Sequence, residues 1–309
     1  MNNIAIQADK LTRKFGKFTA VDDISFSLPY GSIFGFLGAN GAGKSTTIRM
    51  LCGILAPTSG TGKVAGFDVQ TQSEQIKAAI GYVSQRFSLY SDLTVMENLL
   101  FFGRIYGLVN SVLKQRIQEV LLLTGLDKYH DRLAGELSGG WKQKLGIANS
   151  FLHNPKIIFL DEPTAGIDPI ARRSIWELLY QLADQGVSLF VTTHYMEEAE
   201  RCNTIAFISQ GKVFKMGTPS QLKHEISDQL LQVECNPLLK ASQAFSKLEG
   251  VMGLTVYGTT LNINVRNLEQ AKVLIEQAAK RENINITSMR PIPASLEDVF
   301  SLLDIEKES

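Results

Sequence analysis

The sequence predicts an α/β fold carrying a helical insertion, followed by a small α+β domain of ferredoxin-like order. Three observations predict it. The stretch Gly38-Ala39-Asn40-Gly41-Ala42-Gly43-Lys44-Ser45-Thr46 has the spacing Gly, four residues, Gly, Lys, Ser/Thr of a phosphate-binding loop. Ile157-Ile158-Phe159-Leu160 and Ser188-Leu189-Phe190-Val191 are near-continuous apolar runs, as parallel strands buried on both faces tend to be. Beyond Gly217-Thr218-Pro219 the composition becomes more polar, and the segments follow the order β-α-β-β-α-β.

In chain order, residues 4–8 and 23–28 read as strands by period-two alternation. Residues 32–37 read as a short buried strand entering the glycine loop, and 46–52 as a helix leaving it, with Gly53 near its end. Strand, Gly-rich loop, helix is the setting a phosphate loop requires. Glycines let successive N–H groups turn toward one anion, and the helix presents its positive end to the same phosphates. Lys44 adds a full charge near the β and γ phosphates, and the Ser45 hydroxyl is a Mg²⁺ ligand. Residues 95–106 and 112–124 carry apolar side chains at helical spacing, punctuated by Gly107 and Gly125. A helix is also expected over 171–183. A helical insertion of about 88–152 therefore interrupts a nucleotide-binding core. Residues 1–222 form the first domain, 223–229 a linker, and 230–309 the second domain. In the second domain strands are expected at 230–235, 252–257, 261–265 and 284–289, and helices at 238–248 and 268–281. Pro291 and Pro293 precede a last helix over 295–303, opened by Ser295 and Asp298.

The chain has 309 residues, 44% of them apolar, enough for two cores. Its formal net charge of +0 gives no global field toward nucleic acid or anionic lipid. The start, Met1-Asn2-Asn3-Ile4, has no leader pattern, and no apolar run approaches the roughly 18–20 residues that span a bilayer. The 3 cysteines, Cys52, Cys202 and Cys235, have no metal spacing and fit free thiols in a reducing compartment. A cytoplasmic protein is expected, with any membrane role supplied by a partner.

Two further motifs carry chemistry. The apolar run 157–160 ends in Asp161-Glu162-Pro163. Beside a phosphate loop, Asp161 can hold Mg²⁺ through its water shell and Glu162 can polarise the attacking water. Leu137-Ser138-Gly139-Gly140 opens a helix over 141–152, a second anion-binding helix start.

Together these residues resemble the ATP-binding subunit of ATP-binding-cassette (ABC) transporters, over residues 1 to about 222. Residues 38–46 resemble the Walker A loop, Gln85 the Q-loop glutamine, 137–140 the family signature, and 157–162 Walker B. Ala165-Gly166-Ile167-Asp168 resembles the D-loop, and His194, after Thr192-Thr193, the switch histidine. The resemblance implies ATP and Mg²⁺ as cofactors, held by Gly38, Asn40, Gly41, Gly43, Lys44, Ser45 and Thr46. Ser45, Gln85 and Asp161 would face the metal, with Lys44, Gln85, Glu162 and His194 as catalytic groups. Phe15 would stack on adenine and Val21 would lie near the sugar. Ser138, Gly139 and Gly140 would reach the γ-phosphate of ATP on a second, partner cassette, with Asp168 between the two sites. Trp141 stands where the signature usually has Gln, and the D-loop departs from the commoner Ser-Ala-Leu-Asp.

Gly81-Tyr82-Val83-Ser84-Gln85-Arg86-Phe87-Ser88-Leu89-Tyr90 and the tail Ser295-Leu296-Glu297-Asp298-Val299-Phe300 resemble the daunorubicin-resistance-type branch of bacterial drug and polymer exporters. The resemblance implies integral membrane permease subunits, a second cassette (a homodimer in the simplest case) and the cytoplasmic face of the membrane. No nucleic acid partner is expected. The alternative is a soluble cassette ATPase acting on nucleic acid or ribosomes, although this chain has one cassette, no Cys pairs and no basic tract. The second domain is open to dimerisation, regulation or plain stabilisation.

Overall fold

A computed structural model describes residues 4–226 and 229–300. It divides into Met1–Met216 and Gly217–Ser309. The elements of the first unit run β1 (Ile4–Phe15), β2 (Phe18–Pro29), β3 (Ile33–Leu37), α1 (Lys44–Leu51), β4 (Ser59–Val64), β5 (Phe67–Asp68), α2 (Ser73–Ala79) and β6 (Ile80–Val83). The insertion follows as α3 (Val95–Ile105), α4 (Asn110–Thr124) and α5 (Gly139–Phe151). The chain then returns through β7 (Ile157–Asp161), α6 (Pro169–Asp184), β8 (Ser188–Thr193), α7 (Met196–Ala199), β9 (Thr204–Ser209) and β10 (Lys212–Gly217).

Two sheets share one core. One is β2-β1-β4-β5, with antiparallel neighbours; the other is β10-β9-β3-β8-β7-β6, in which β9, β3, β8, β7 and β6 run parallel. β3, β7 and β8 are buried along their whole length, which explains their largely apolar sequence. An aromatic cluster fastens the sheets together. Phe26 of β2 stacks on Phe34 at 5.4 Å, and Phe190 lies 5.3 Å from Phe34 and 5.4 Å from Phe159. Each such pair adds roughly 0.5–1.5 kcal/mol beyond its buried area. The strands that carry the loops of the site are therefore rigid.

The insertion starts at a capping box, with the Thr94 side chain accepting from the Glu97 N–H and Glu97 accepting from the Thr94 N–H. Asn98, fully buried, donates to the carbonyls of Tyr90, Leu93 and Thr94 and accepts from the Tyr90 N–H, which fixes the segment entering α3.

The second unit holds α8 (Pro219–His224), β11 (Leu230–Asn236), α9 (Leu238–Phe245), β12 (Val251–Tyr257), β13 (Thr260–Val265), α10 (Leu268–Glu282) and β14 (Asn285–Pro291). Its sheet, ordered β12-β13-β11-β14 with antiparallel neighbours, has the ferredoxin-like arrangement that the sequence predicts. Leu231, Val233, Ile263, Phe245 and Ile275 are fully buried at its centre. Residues 217–222, which the sequence reading placed in the first domain, belong here, and α8 occupies the start of the expected linker. Ser295 and Asp298 make the reciprocal bonds of a helix start, while 301–303 of the last expected helix lie outside the described residues. Among the described residues no helix is long and apolar enough to cross a membrane.

Candidate functional site

β3, β7 and β8 end at one level. Leu37 is in register with Thr193, and Asp161 with Thr192. The glycine loop, Glu162 and His194 thus leave the sheet at its carboxyl edge, where open α/β sheets bind ligands.

The loop needs its glycines for different reasons. A Cβ at Gly38 would lie 2.3 Å from the Ile208 carbonyl oxygen, and one at Gly43 2.6 Å from that of Ala20. Gly43 also caps α1 with φ 109°. Gly41, with φ 83°, is exposed, and a Cβ there would meet nothing. One side of the loop is pressed against protein backbone, and the side at Asn40 and Gly41 is open, as a phosphate cradle requires.

Lys44 is only 5% exposed. Its Nζ donates to the carbonyls of Gly38 at 2.8 Å and Ala39 at 3.2 Å, and pairs with Glu162 Oε1 at 3.1 Å. Glu162 Oε2 accepts from Gln85 Nε2 at 3.1 Å and lies 3.2 Å from His194 Nδ1. One carboxylate gathers three functional side chains from three loops. Its backbone is held in the left-handed region at φ 49°, a conformation that costs a non-glycine residue roughly 1–2 kcal/mol. Two acceptors on β8 secure the Glu162 N–H, the Thr192 carbonyl at 3.1 Å and the Thr192 Oγ1 at 3.0 Å.

Asp161 Oδ1 accepts from Ser45 Oγ at 3.2 Å and from Thr192 Oγ1 at 2.7 Å. Burial first, and the Asp161 charge second, push the Tyr82 phenol up to about 12 and raise the Cys52 thiol well above its ordinary value. Both therefore stay neutral beside the carboxylate. A hydroxyl and a carboxylate side by side are hard oxygen donors, the set that holds Mg²⁺ when substrate phosphates and waters complete the shell. Gln85 sits at Glu162, with no bond to the Ser45–Asp161 pair.

The remaining sequence-derived candidates have no hydrogen bond or ion pair to this cluster. Ser138 is the N-cap of α5, yet its side chain makes no capping bond, and Gly139 is exposed with open space at its Cβ position. Gly140 is required by packing, since a Cβ there would lie 2.6 Å from that of Ala171 on α6. Asp168 caps α6, accepting from the N–H groups of Ile170 and Ala171 at 3.1 and 2.9 Å. Trp141 packs on Tyr129 at 4.6 Å, with the Lys144 ammonium 4.7 Å over its ring. Phe15 is 46% exposed, with the Arg13 guanidinium 4.7 Å from its ring centre, and Val21 is fully buried beside Gly43. Thr46 is half-buried in the first turn of α1.

Sequence reading missed Thr192, which orders both acids. The signal is present in the sequence, since two threonines follow the apolar run 189–191 at the end of the strand and hydroxyls buried there need partners.

This is the fold of an ATP-binding cassette. The chain belongs to the family of ABC transporter ATP-binding proteins. The ABC transporter family profile matches residues 21–165, and that of the ATP-binding protein DrrA1-3-like C-terminal domain matches 217–302. The chain is 45% identical over 218 residues to the probable multidrug ABC transporter ATP-binding protein YbhF of Escherichia coli. That match covers 71% of this chain but only 38% of YbhF, so the chain spans little more than a third of that relative's length. It is 37% identical over 300 residues to the linearmycin resistance ATP-binding protein LnrL of Bacillus subtilis, covering 96% of each. Among solved structures it resembles the dimeric post-hydrolysis state of the cassette MJ0796 bound to ADP and Pi. There the TM-score is 0.63 and the identity 25%, over 69% of this chain and 98% of the other.

Proposed function

We propose that this chain is the ATP-hydrolysing subunit of an ABC exporter and works as one of two cassettes closing head to tail around two ATP. The observation that carries the reading is the single carboxylate of Glu162, which is bonded at once to Lys44, Gln85 and His194. Lys44 has two uses in this geometry. Without nucleotide it neutralises Glu162. A γ-phosphate in the loop competes for the ammonium and frees the Glu162 carboxylate to orient and deprotonate water. His194 and Gln85 then hold that water and the phosphate in line, so that catalysis is positioning and charge stabilisation. Ser45 and Asp161 would hold Mg²⁺, which would supply positive charge to offset that of the phosphates. Phe15 offers an exposed ring for stacking on adenine.

The free Ser138 hydroxyl and the open Gly139 support a half-site, which a second copy of the chain completes. The MJ0796 cassette is itself dimeric. The names of YbhF and LnrL, multidrug and linearmycin resistance, favour export of drug-like molecules through separate membrane permeases. The chain then works at the cytoplasmic face of the membrane. ATP chemistry belongs to the first unit, ending at Met216, and an accessory role to the second. The test is Glu162→Gln in the full chain, which retains ATP binding and lowers phosphate release by roughly 10²–10⁴-fold. Near-normal turnover in that variant sinks the assignment.

A further inference from the structure

Behind the site lies a third buried acid, which the reaction as proposed does not use. Glu198, on the short helix α7, is 1% exposed. Its Oε1 accepts from the hydroxyl of Thr164, two residues after Glu162, and its Oε2 accepts from that of Thr193 at 2.6 Å. Arg172 of α6 supplies the nearest cation, with its Nε 3.7 Å from Oε1. The same guanidinium covers the Tyr195 ring at 4.3 Å, and that ring lies 4.1 Å from the His194 imidazole. The Tyr195 N–H donates to Thr193 Oγ1 at 3.0 Å, and the Glu198 N–H donates to the Tyr195 carbonyl at 3.1 Å. His194 therefore sits between two residues that are each tied to Glu198, Thr193 directly and Tyr195 through Arg172. Thr164 ties the loop of Glu162 to the same carboxylate.

We propose that Glu198 is the positioning residue that fixes His194 against Glu162 by clamping the two loops that carry them. The proposal rests on the catalytic roles given above to Glu162 and His194. A buried carboxylate is costly without partners, so burial here requires hydrogen-bond donors from both loops. Two hydroxyl donors, backed by the Arg172 charge 3.7 Å away, meet that need only when the loops are in register. The carboxylate thus penalises any arrangement in which His194 drifts from Glu162. A misplacement of about 1 Å in a positioned catalytic group costs roughly 100-fold in rate. Thr164 and Thr193 act as the jaws of the clamp, and Arg172 with Tyr195 forms its outer wall.

The test uses the purified full chain, with phosphate release for kcat and KM, and fluorescence of the nucleotide analogue TNP-ATP for binding. Glu198→Gln keeps the shape and removes one acceptor. It lowers kcat by roughly 10- to 100-fold and leaves KM and TNP-ATP affinity within about twofold. Should Glu198→Gln fail to fold, the pair Thr193→Val and Thr193→Ser carries the test: Val lowers kcat and Ser, which restores the hydroxyl, restores it. In the double variant with His194→Ala, adding Glu198→Gln or Thr193→Val slows turnover by no more than about twofold further, because both act through one residue. A merely structural defect instead multiplies with His194→Ala and weakens TNP-ATP binding. That outcome overturns the proposal, as does wild-type kcat in Glu198→Gln and Thr193→Val while Glu162→Gln is inactive. An active Glu162→Gln takes down the catalytic reading itself, and this inference with it.

Discussion

The Lys44–Glu162 pair makes a quantitative demand on the nucleotide-free protein. Both groups are buried, 5% and 8% exposed, so solvent does little to screen them. Lys44→Met keeps most of the side-chain volume and removes the charge. Removing one partner of a buried pair costs roughly 3–5 kcal/mol, because the other charge is left uncompensated. Here Gln85 and His194 still face Glu162 Oε2, which puts the loss near the lower end, about 3 kcal/mol. Glu162→Gln leaves Lys44 with the Gly38 and Ala39 carbonyls and costs less, about 1–2 kcal/mol. The double variant holds neither charge, so it is more stable than the sum of the singles predicts, with a coupling of about 2 kcal/mol. The assay is urea unfolding followed by tryptophan fluorescence, at low salt and without nucleotide. Both tryptophans, Trp141 and Trp176, lie in the first unit, so the signal reports that unit alone. With a slope of about 2–3 kcal/mol per molar urea, Lys44→Met moves the midpoint down by about 1 M. Singles that add within about 0.5 kcal/mol refute the reasoning, because the pair then contributes no mutual compensation.

Three further outcomes are expected. Gly43→Ala forces a Cβ to 2.6 Å from the Ala20 carbonyl at φ 109° and abolishes measurable nucleotide binding. Gly41→Ala carries only the strain of φ 83°, roughly 1–2 kcal/mol, and weakens binding by about 5- to 30-fold; equal effects of the two substitutions in a TNP-ATP titration contradict the loop geometry. Phe15→Ala removes a stacking contact of roughly 1–3 kcal/mol and weakens adenine-nucleotide binding accordingly, whereas Phe15→Tyr retains it; unchanged affinity in Phe15→Ala removes Phe15 from the site. Burial, ahead of the Arg116 charge and against the Ile80 carbonyl, holds His153 below its ordinary value. As pH falls the unfolded chain takes up this proton first, near 6.5, so the stability is whole above about pH 6.5 and declines from there toward the lower folded value. His153→Gln therefore shows a smaller loss of Tm between about pH 7.5 and 5.5 than the wild type. An equal loss assigns the sensitivity to other groups.

What the sequence discloses about the fold depends on whether a residue's reason is local. β3, β7 and β8 are legible because they are buried on both faces, which needs only apolar residues. β4 is not, because Ser59-Gly60-Thr61-Gly62-Lys63-Val64 has two glycines and little apolar content. The reason for Gly60 lies far along the chain, where a Cβ would come 2.1 Å from the Lys10 carbonyl oxygen on β1. β1 itself extends well past its alternating start, through Lys10 at φ 51° and register shifts that break the period of two. α8 is legible from the capping box of Thr218 and Gln221, but Gly217-Thr218-Pro219 at the same place also carries the signal of a domain boundary.

The site divides along the same line. Lys44, Ser45, Asp161, Glu162, Gln85 and His194 are legible because the proposed chemistry asks each for one chemical group at a fixed spacing from a strand end, which local sequence is enough to recognise. Thr192, Thr164 and Glu198 present nothing to a ligand. They were chosen by one another, through contacts between residues 30 to 34 positions apart that exist only once β7 and β8 are side by side. A buried acid four residues after His194 reads, in sequence, like any solvated glutamate of a helix, and Glu197 next to it is one. What separates the two is burial, and a buried carboxylate has to be answered by donors. The donors that answer Glu198 come from the two loops whose spacing sets the distance between His194 and Glu162, which is why its effect is expected on turnover and not on ATP affinity.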